Sequence, residues 1–305
     1  MTSTTVRDEQ GSVFPVVLYK KPFIAPLAFI TVFLWMAVGH SMTVLMHSAF
    51  PGDQVYIAGL VLGFAALALI WQGFGKDDVT ATYYGAAGGA LLWIGWFEFA
   101  FKFMGKFLHV PNLEYQGALY FTPGIQMIEA TALPLLGVLV LLGLNKDTRC
   151  RMFKWFHKNL KLKAEPPTVN YRRQYSRITA MEFIFITWAI YIIDLVVLDP
   201  RILGPESTTA MIIMMAYIGW CLYLLYKLPQ QSEVGLGMRY GMATAIVVWM
   251  IPETASAAQM ITEIWLLPYD YPVTVSLITI SMLVFGTILC FAPKPPLPKK
   301  STQAT

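Results

Sequence analysis

Two glutamates, Glu98 and Glu253, lie in segments that contain few other polar side chains. Glu98 stands in "WIGWFEFAFKFMG" (93–105), where Lys102 is the one residue within four positions that could keep a carboxylate hydrated. Glu253 follows Pro252 in "VVWMIPETASAAQM" (247–260). A proline inside a helix frees a backbone carbonyl one turn back, and transporters form cation sites at broken helices of this kind. Both glutamates are therefore candidates for handling a proton or a cation.

Three further ionisable residues, His40, Glu129 and Asp194, fall inside other apolar segments. A helical rise of about 1.5 Å per residue places Glu98 roughly 22 Å into its segment, and the same count puts all five in the middle to outer half of a bilayer. A charge facing lipid there costs roughly 2.5–3.5 kcal/mol even on lenient scales, so such residues face a cavity, a partner charge or a metal.

Three of these residues, Glu98, His40 and Glu129, also have ordinary structural interpretations. Glu98 and Lys102 are four apart and can form an ion pair on one helix face. His40 and His47 share a helix face, and a buried histidine commonly bonds to a neighbouring carbonyl. Glu129 precedes Pro134 and can satisfy backbone groups freed by a kink. These interpretations stay open beside the functional ones.

The cluster is compatible with three classes of function. The first, which we favour, is a transporter of a small solute, coupled to protons or cations through Glu98, Glu253, Glu129 and Asp194. The second is a membrane metalloenzyme or oxidoreductase subunit that binds a divalent metal ion; its expected ligands are His40, His47, Glu98, Glu129, Asp194 and Glu253. The third is an accessory subunit whose polar residues only bridge helices and whose surface contacts partner subunits.

Aromatic residues near the glutamates could line a cavity for an apolar or cationic ligand, or simply face lipid. Those expected to line it are Tyr84, Trp93, Tyr240 and Trp249.

The elements that must position these residues are membrane helices. Of the 305 residues, 56% are hydrophobic and 13% are charged, about half the charged fraction of a soluble domain. The sequence predicts an all-α polytopic membrane protein, because apolar runs of about 20 residues recur, the length that crosses a bilayer. The eight predicted spans are 24–49, 55–74, 83–105, 119–143, 178–199, 208–228, 238–266 and 272–292.

Loop charges predict the orientation. With both termini in the cytoplasm, every basic residue except Lys102, Lys106 and Arg201 lies inside, as the positive-inside rule requires. The net charge of +4 is then loop charge and does not indicate nucleic-acid binding. The three cysteines form no C-x-x-C pair, and phosphate-binding and hydrolase motifs are absent. We expect a bacterial inner membrane as the location.

The chain divides into two membrane halves joined by a basic linker. The predicted units are a tail (1–23), a first four-helix repeat (24–144), the linker (145–177), a second repeat (178–292) and a tail (293–305). The linker begins as a basic amphipathic helix that we expect to lie against anionic lipid.

The two halves resemble each other in sequence. Tyr84-Gly85 precedes Trp93 and then Glu98, and Tyr240-Gly241 precedes Trp249 by the same interval; Glu253 then follows one residue sooner. Since four spans are an even number, the halves would be a parallel 4+4 repeat about an axis along the membrane normal. Binding sites commonly lie between such repeats.

Overall fold

The computed structural model describes residues 13–115, 117–145, 147, 151–161, 168, 173–257 and 260–293. Outside them lie 1–12 of the predicted N-terminal tail, 294–305 of the predicted C-terminal tail, and 146, 148–150, 162–167 and 169–172 of the predicted linker. The α-helices in the described residues are α1 (Ile24–Ala49), α2 (Gln54–Gln72), α3 (Asp78–Leu92), α4 (Phe99–Phe107), α5 (Pro123–Ala130), α6 (Ala132–Leu144), α7 (Arg151–Asn159), α8 (Tyr175–Leu198), α9 (Thr208–Lys227), α10 (Val234–Ala257) and α11 (Pro272–Cys290).

Shorter elements complete the described fold. A π-helical segment (Trp93–Glu98) connects α3 to α4, and an antiparallel hairpin of β1 (Leu113–Tyr115) and β2 (Ala118–Phe121) precedes α5. Three 3-10 turns cover Val16–Tyr19, Leu228–Gln230 and Ile264–Leu266. The protein is thus nearly all helical in this part of the chain.

Six helices of the described chain are long and apolar enough to cross a membrane: α1, α2, α8, α9 with its 3-10 extension, α10 and α11. The bent pair α5 and α6, which meet at 42°, raises the number to seven if it forms one span. These findings agree with an all-α membrane protein. The predicted count of eight stays a prediction, because the π segment divides residues 78–107 into pieces that are individually short.

The π segment is continuous with the helices on either side of it. Leu92 and Phe99, which flank it, have right-handed helical dihedral angles. Within the segment, the indole N–H of Trp96 donates to the Leu60 carbonyl of α2 at 3.1 Å. Gly95 lies against the backbone of Gly59 and Gly63. Close packing on α2 therefore accompanies the extra residue that a π turn accommodates.

The core of the protein is formed by α1, α3, α8 and α10. Helix α1 packs most extensively against α10, and α8 packs most extensively against α3. Of the spans, α10 is the most enclosed, with 61% of its apolar 18-residue stretch buried, whereas only 17% of the corresponding stretch of α9 is buried. Helix α9 is thus at the periphery and α10 at the centre.

Two glycines allow these helix pairs to approach closely. Gly85 is the eighth residue of α3, and a Cβ there would overlap the carbonyl of Ser176, the second residue of α8. Gly241 is the eighth residue of α10, and a Cβ there would overlap the carbonyl of Ala25, the second residue of α1. Each contact thus joins the eighth residue of one helix to the second residue of another.

The ends of two spans differ from the sequence prediction. The predicted span 238–266 ends as a helix at Ala257, and the chain then forms a 3-10 turn in which the Trp265 carbonyl accepts a hydrogen bond from Ser41 at 2.7 Å. The predicted span 119–143 begins as strand β2, and its helix starts only at Pro123, capped by Thr122. At the second place, Pro123 and the capping Thr122 side chain set the start of the helix.

The described part of the linker contains α7, which packs against the end of α6. Phe153 lies against Gly143, and His157 donates from Nε2 to the Gly143 carbonyl. Trp155 is exposed. The expected contact of this basic helix with anionic lipid stays a prediction.

Candidate functional site

Three polar side chains from three spans meet in the core. Nε2 of His40 (α1) lies 3.1 Å from the hydroxyl of Tyr191 (α8) and 3.3 Å from Oε1 of Glu253 (α10). The Tyr191 hydroxyl donates to the same Glu253 oxygen at 3.1 Å. The indole N–H of Trp249 also donates to this oxygen. We call His40, Tyr191 and Glu253 the central triad.

The hydrogen-bond partners define where the protons of the triad can lie. Nδ1 of His40 donates to the Met36 carbonyl at 2.8 Å, because a carbonyl can only accept. A hydrogen bond between Nε2 and Oε1 of Glu253 then requires one further proton, carried either by Nε2 or by the carboxyl group. His40 and Glu253 can thus share one proton, and without it the Tyr191 hydroxyl can donate to Nε2 instead.

Two tryptophans pack against members of the triad. The ring of Trp249 lies 5.9 Å from that of His40 with an interplanar angle of 31°, and the ring of Trp93 lies 5.9 Å from that of Tyr191 with an angle of 28°. Trp93 is the first residue after α3 and the sixteenth counted from the start of that helix. Trp249 is the sixteenth residue of α10. Of the four predicted aromatic lining residues, these two reach the site.

Asp194 lies beside the triad and lines a cavity together with Glu253. Its carboxylate is 5% exposed and accepts a hydrogen bond from Thr254 at 2.7 Å. Asp194, Glu253, Tyr191 and Thr187 line one cavity, together with apolar residues of α1, α8 and α10. This Glu253 cavity has an empty volume of about 220 Å³, including its open side.

Glu98 lines a second cavity, which His40 and Tyr191 also line. The Glu98 cavity has an empty volume of about 300 Å³ and is lined by residues of α1, α3, the π segment and α8, among them Trp93. Oε1 of Glu98 accepts a hydrogen bond from Lys102 at 2.7 Å, so the carboxylate is already paired within its own helix. The two glutamates therefore do not touch, although both cavities include Tyr191.

Glu129 belongs to a different cluster, near the loop after α8. Its Oε2 accepts from Arg201 at 3.3 Å, and Arg201 also donates to Asp199 at 2.5 Å and to Gln126 at 3.0 Å. Burial raises the pKa of Asp199, but its hydrogen bonds from Arg201 outweigh that effect and hold the pKa below its ordinary value. This cluster connects α5 to the α8–α9 loop rather than contributing to the triad.

The remaining predicted site residues lie away from the triad. His47 donates to the Thr43 carbonyl at 2.8 Å, and its ring stacks on Phe99. Tyr240 donates to the Leu224 carbonyl at 3.4 Å, and Tyr84 lies against Gly73. These three residues make packing contacts.

The predicted metal ligands are not gathered in one place. Among the residues that the structure describes, no group of three or more His, Cys, Asp or Glu side chains is placed to hold a metal ion. Glu98 is paired with Lys102, and Glu129 is paired with Arg201. Of the predicted ligands, only His40 and Glu253 of the triad and the neighbouring Asp194 lie close together. The six predicted ligands are therefore divided among separate places in the described fold.

Sequence reasoning missed several polar residues of the core. Tyr191 was not singled out, although it is the seventeenth residue of α8 as His40 is of α1. Glu263 interacts electrostatically with His40 and Glu253 from the loop after α10. Arg239 of α10 forms an ion pair with Asp78 of α3. The match of Tyr191 to His40 emerges only from the observed start of α8 at Tyr175, because counting from the predicted start at 178 leads to Asp194.

No protein-family model matches the chain, and no curated protein or solved structure is significantly similar to it.

Proposed function

We propose that this protein is a membrane transporter of a small solute, coupled to protons or cations at the central triad. The observation that carries the proposal is the convergence on Oε1 of Glu253 of donors from α1, α8 and α10, deep in the helical core. A buried carboxylate costs free energy unless its charge is balanced. A carboxylate that is balanced by one shared proton is suited to gaining and losing that proton.

The two halves of the chain form, in this proposal, a parallel 4+4 repeat with the triad on its axis. The matched contacts of Gly85 and Gly241 support it, as does the reciprocal packing of α1 on α10 and α8 on α3. His40 and Tyr191 are equivalent by position in their helices and are in contact. A substrate between the halves would be exposed alternately to each side as one half rocks against the other.

The π segment accounts for the one-residue difference between the halves. Glu98 lies five residues after Trp93, whereas Glu253 lies four after Trp249. A π turn accommodates one extra residue relative to an α-helix. After the insertion, Glu98 and Glu253 become equivalent, and both border a cavity that also includes Tyr191.

The eight-span topology belongs to the same proposal. The helical run 78–107 and the bent pair α5–α6 would be the third and fourth spans, with both termini in the cytoplasm. Loop charge supports this orientation. The ion pair between Asp78 and Arg239 would then close the cytoplasmic ends of α3 and α10 in this conformation.

Proton loading would couple to helix positions through the triad. The shared proton connects α1 to α10, and its loss would let the Tyr191 hydroxyl turn from Glu253 toward His40. Asp194 of α8 and Glu263 of the following loop are further acidic groups near Glu253. Because they are all negative when ionised, they favour retention of a positive charge at the site.

Charge movement in proteoliposomes on a solid-supported membrane tests this proposal without knowledge of the solute. A pH jump should displace charge in the wild type, and Glu253→Gln should abolish the displacement because it removes the ionisable group. His47→Gln is the matched control, since His47 lies outside the triad. Equal displacement in the wild type and Glu253→Gln would overturn the proposal.

A further inference from the structure

Two buried carboxyl groups share a single positive charge beside the α8–α9 loop. The Asp199 side chain is fully buried, and within the described residues the N–H groups that donate to its carboxylate all belong to Arg201. Nη2 of Arg201 donates to Asp199 at 2.5 Å and also to Oε2 of Glu129 at 3.3 Å. The Glu129 side chain is 10% exposed. One guanidinium therefore faces two carboxyl groups that water hardly reaches.

The two carboxyl groups also contact each other. Glu129 and Asp199 lie at hydrogen-bond distance, and Oε1 of Glu129 is buried and accepts from no donor among the residues that the structure describes. Ionised carboxylates can only accept, and two of them repel at this distance, so a hydrogen bond between them requires a proton. Because buried polar atoms are nearly always satisfied, the contact indicates that one of the two groups is a carboxylic acid.

The hydrogen bonds from Arg201 decide which of the two groups carries the proton. Asp199 accepts from the backbone N–H, Nε and Nη2 of Arg201, whereas Glu129 accepts only the bond at 3.3 Å. Hydrogen bonds from a charged donor favour the ionised form of a carboxyl group, so Asp199 is the carboxylate and Glu129 the acid. A metal ion in place of the proton would be repelled by the adjacent guanidinium.

The neighbouring elements supply no second cation to this pair within the described residues. Their other charged or titratable groups are Lys102 and Lys106 of α4, Glu114, Tyr115 and Tyr120 of the hairpin, Asp194 of α8 and Glu206 of the α8–α9 loop. Lys102 is paired with Glu98, and Lys106 is paired with Asp53. The remaining groups are neutral or negative. A proton is therefore the charge that balances the second carboxyl group.

We propose that Glu129 and Asp199 hold one bound proton, which fastens the first half of the chain to the second. Glu129 lies in α5, in the first half, whereas Asp199 and Arg201 follow α8 in the second half. Loss of the proton at high pH would leave two adjacent carboxylates against one guanidinium and push α5 away from the loop. The bound proton does not depend on the proposed transport. Its role as a latch that holds the outer side of the transporter closed rests on that proposal.

Infrared difference spectroscopy of the purified, full-length protein tests the bound proton. At neutral pH, the difference between the wild type and Glu129→Gln should contain the C=O stretch of a carboxylic acid. In an Asp199→Asn background, Glu129→Gln should instead remove a carboxylate band, because Arg201 then pairs with Glu129 alone and ionises it. Asp53→Asn is the control, since its exposed carboxylate pairs with Lys106, and it should change only carboxylate bands. A carboxylate band in place of the acid band in the first comparison would overturn the proposal.

Amide hydrogen exchange in α5 tests the latch. After correction for the intrinsic exchange rate, a change from neutral to alkaline pH should speed exchange of the wild-type α5 severalfold. Glu129→Gln should keep α5 protected, because its amide donates to Asp199 and cannot lose the proton. Helix α11 is the internal control and should not respond in either protein. An equal response of α5 in both proteins, or no response in the wild type, would overturn the latch.

These measurements are independent of the central triad, since neither variant alters it. Failure of the infrared test would reject the bound proton and leave the proposed function standing. A pH-jump displacement that persists in Glu253→Gln would reject the proposed function, whereas the acid band of Glu129 would still establish the bound proton.

Discussion

His40 and Tyr191 are each the seventeenth residue of a helix, α1 and α8, and Nε2 of His40 lies 3.1 Å from the Tyr191 hydroxyl. Residues related by a twofold axis can contact one another only near that axis. An axis relating the two helices would therefore pass between these two side chains. Their chemistry differs, so the pair can hold a proton asymmetrically.

Removal of the Tyr191 hydroxyl should impair the triad without abolishing it. Tyr191→Phe loses a hydrogen bond to a charged group, worth about 1.5–3 kcal/mol, while His40 keeps its contact with Glu253. We expect a reduced pH-jump charge displacement and a lower thermal midpoint. The check is electrophysiology combined with differential scanning fluorimetry; wild-type values for both would contradict a role of this hydroxyl.

The two histidines of α1 should differ sharply in their effect. His40→Gln removes the shared proton of the triad and should eliminate most of the charge displacement, because Glu253 loses its counter-charge. His47→Gln changes a residue that bonds to a helix carbonyl and stacks on Phe99. It should retain at least half of the displacement. Comparable losses in both variants would show that helix packing, and not the triad, controls the signal.

The matched glycines should be equally intolerant of a methyl group. Gly85→Ala and Gly241→Ala each force a Cβ into the backbone of the neighbouring helix, and overpacking of this kind costs about 1–3 kcal/mol. Gly219→Ala is the control, because a Cβ there meets nothing within 4 Å. Reversible unfolding in mixed micelles would give the free energy of unfolding of the three variants. Destabilisation in only one of the two matched variants would weaken the proposed repeat.

Arg201 should stabilise the protein in a pH-dependent manner. Its hydrogen bonds depress the pKa of Asp199, so their contribution is complete above the unfolded-state pKa, about 3.9, and is lost as the pH falls through the lower folded-state pKa. Arg201→Gln should thus cost about 1.5–3 kcal/mol at neutral pH and less in acid. Unfolding at several pH values checks this.

A matched control for Arg201 is Lys106→Gln. Lys106 pairs with Asp53 at 2.5 Å, but both side chains are largely exposed, so the ion pair is screened by water. We expect no measurable destabilisation at any pH. A loss equal to that of Arg201→Gln would mean that general surface charge, and not the buried Asp199, explains the effect.

Hydropathy and periodicity were sufficient to predict the membrane class, because long apolar helices leave a clear signal in composition. They also indicated His40, Asp194 and Glu253 as buried ionisable residues, since polar groups stand out in apolar segments. The partners of those residues were harder to predict. Tyr191 is amphipathic and common in membrane helices, and only the crossing of α1, α8 and α10 brings it to Glu253.

Other differences have similarly local causes. Glu129 was expected near the other carboxylates because depth alone was counted, but depth does not define the direction of a side chain around its helix. Near the end of α5, just before the bend to α6, Glu129 instead pairs with Arg201. Glu98 is satisfied by Lys102 one turn away, an interaction that its sequence spacing already allowed.

The extra residue in the π segment has a consequence for the proposed symmetry. Halves related by an axis along the membrane normal would present two equivalent cavities at the same depth. The insertion at Trp93–Glu98, present in one half and not in the α-helical stretch around Trp249, would remove that equivalence. In the proposed transporter a ligand would therefore distinguish the Glu98 cavity from the Glu253 cavity, although the two glutamates hold corresponding positions.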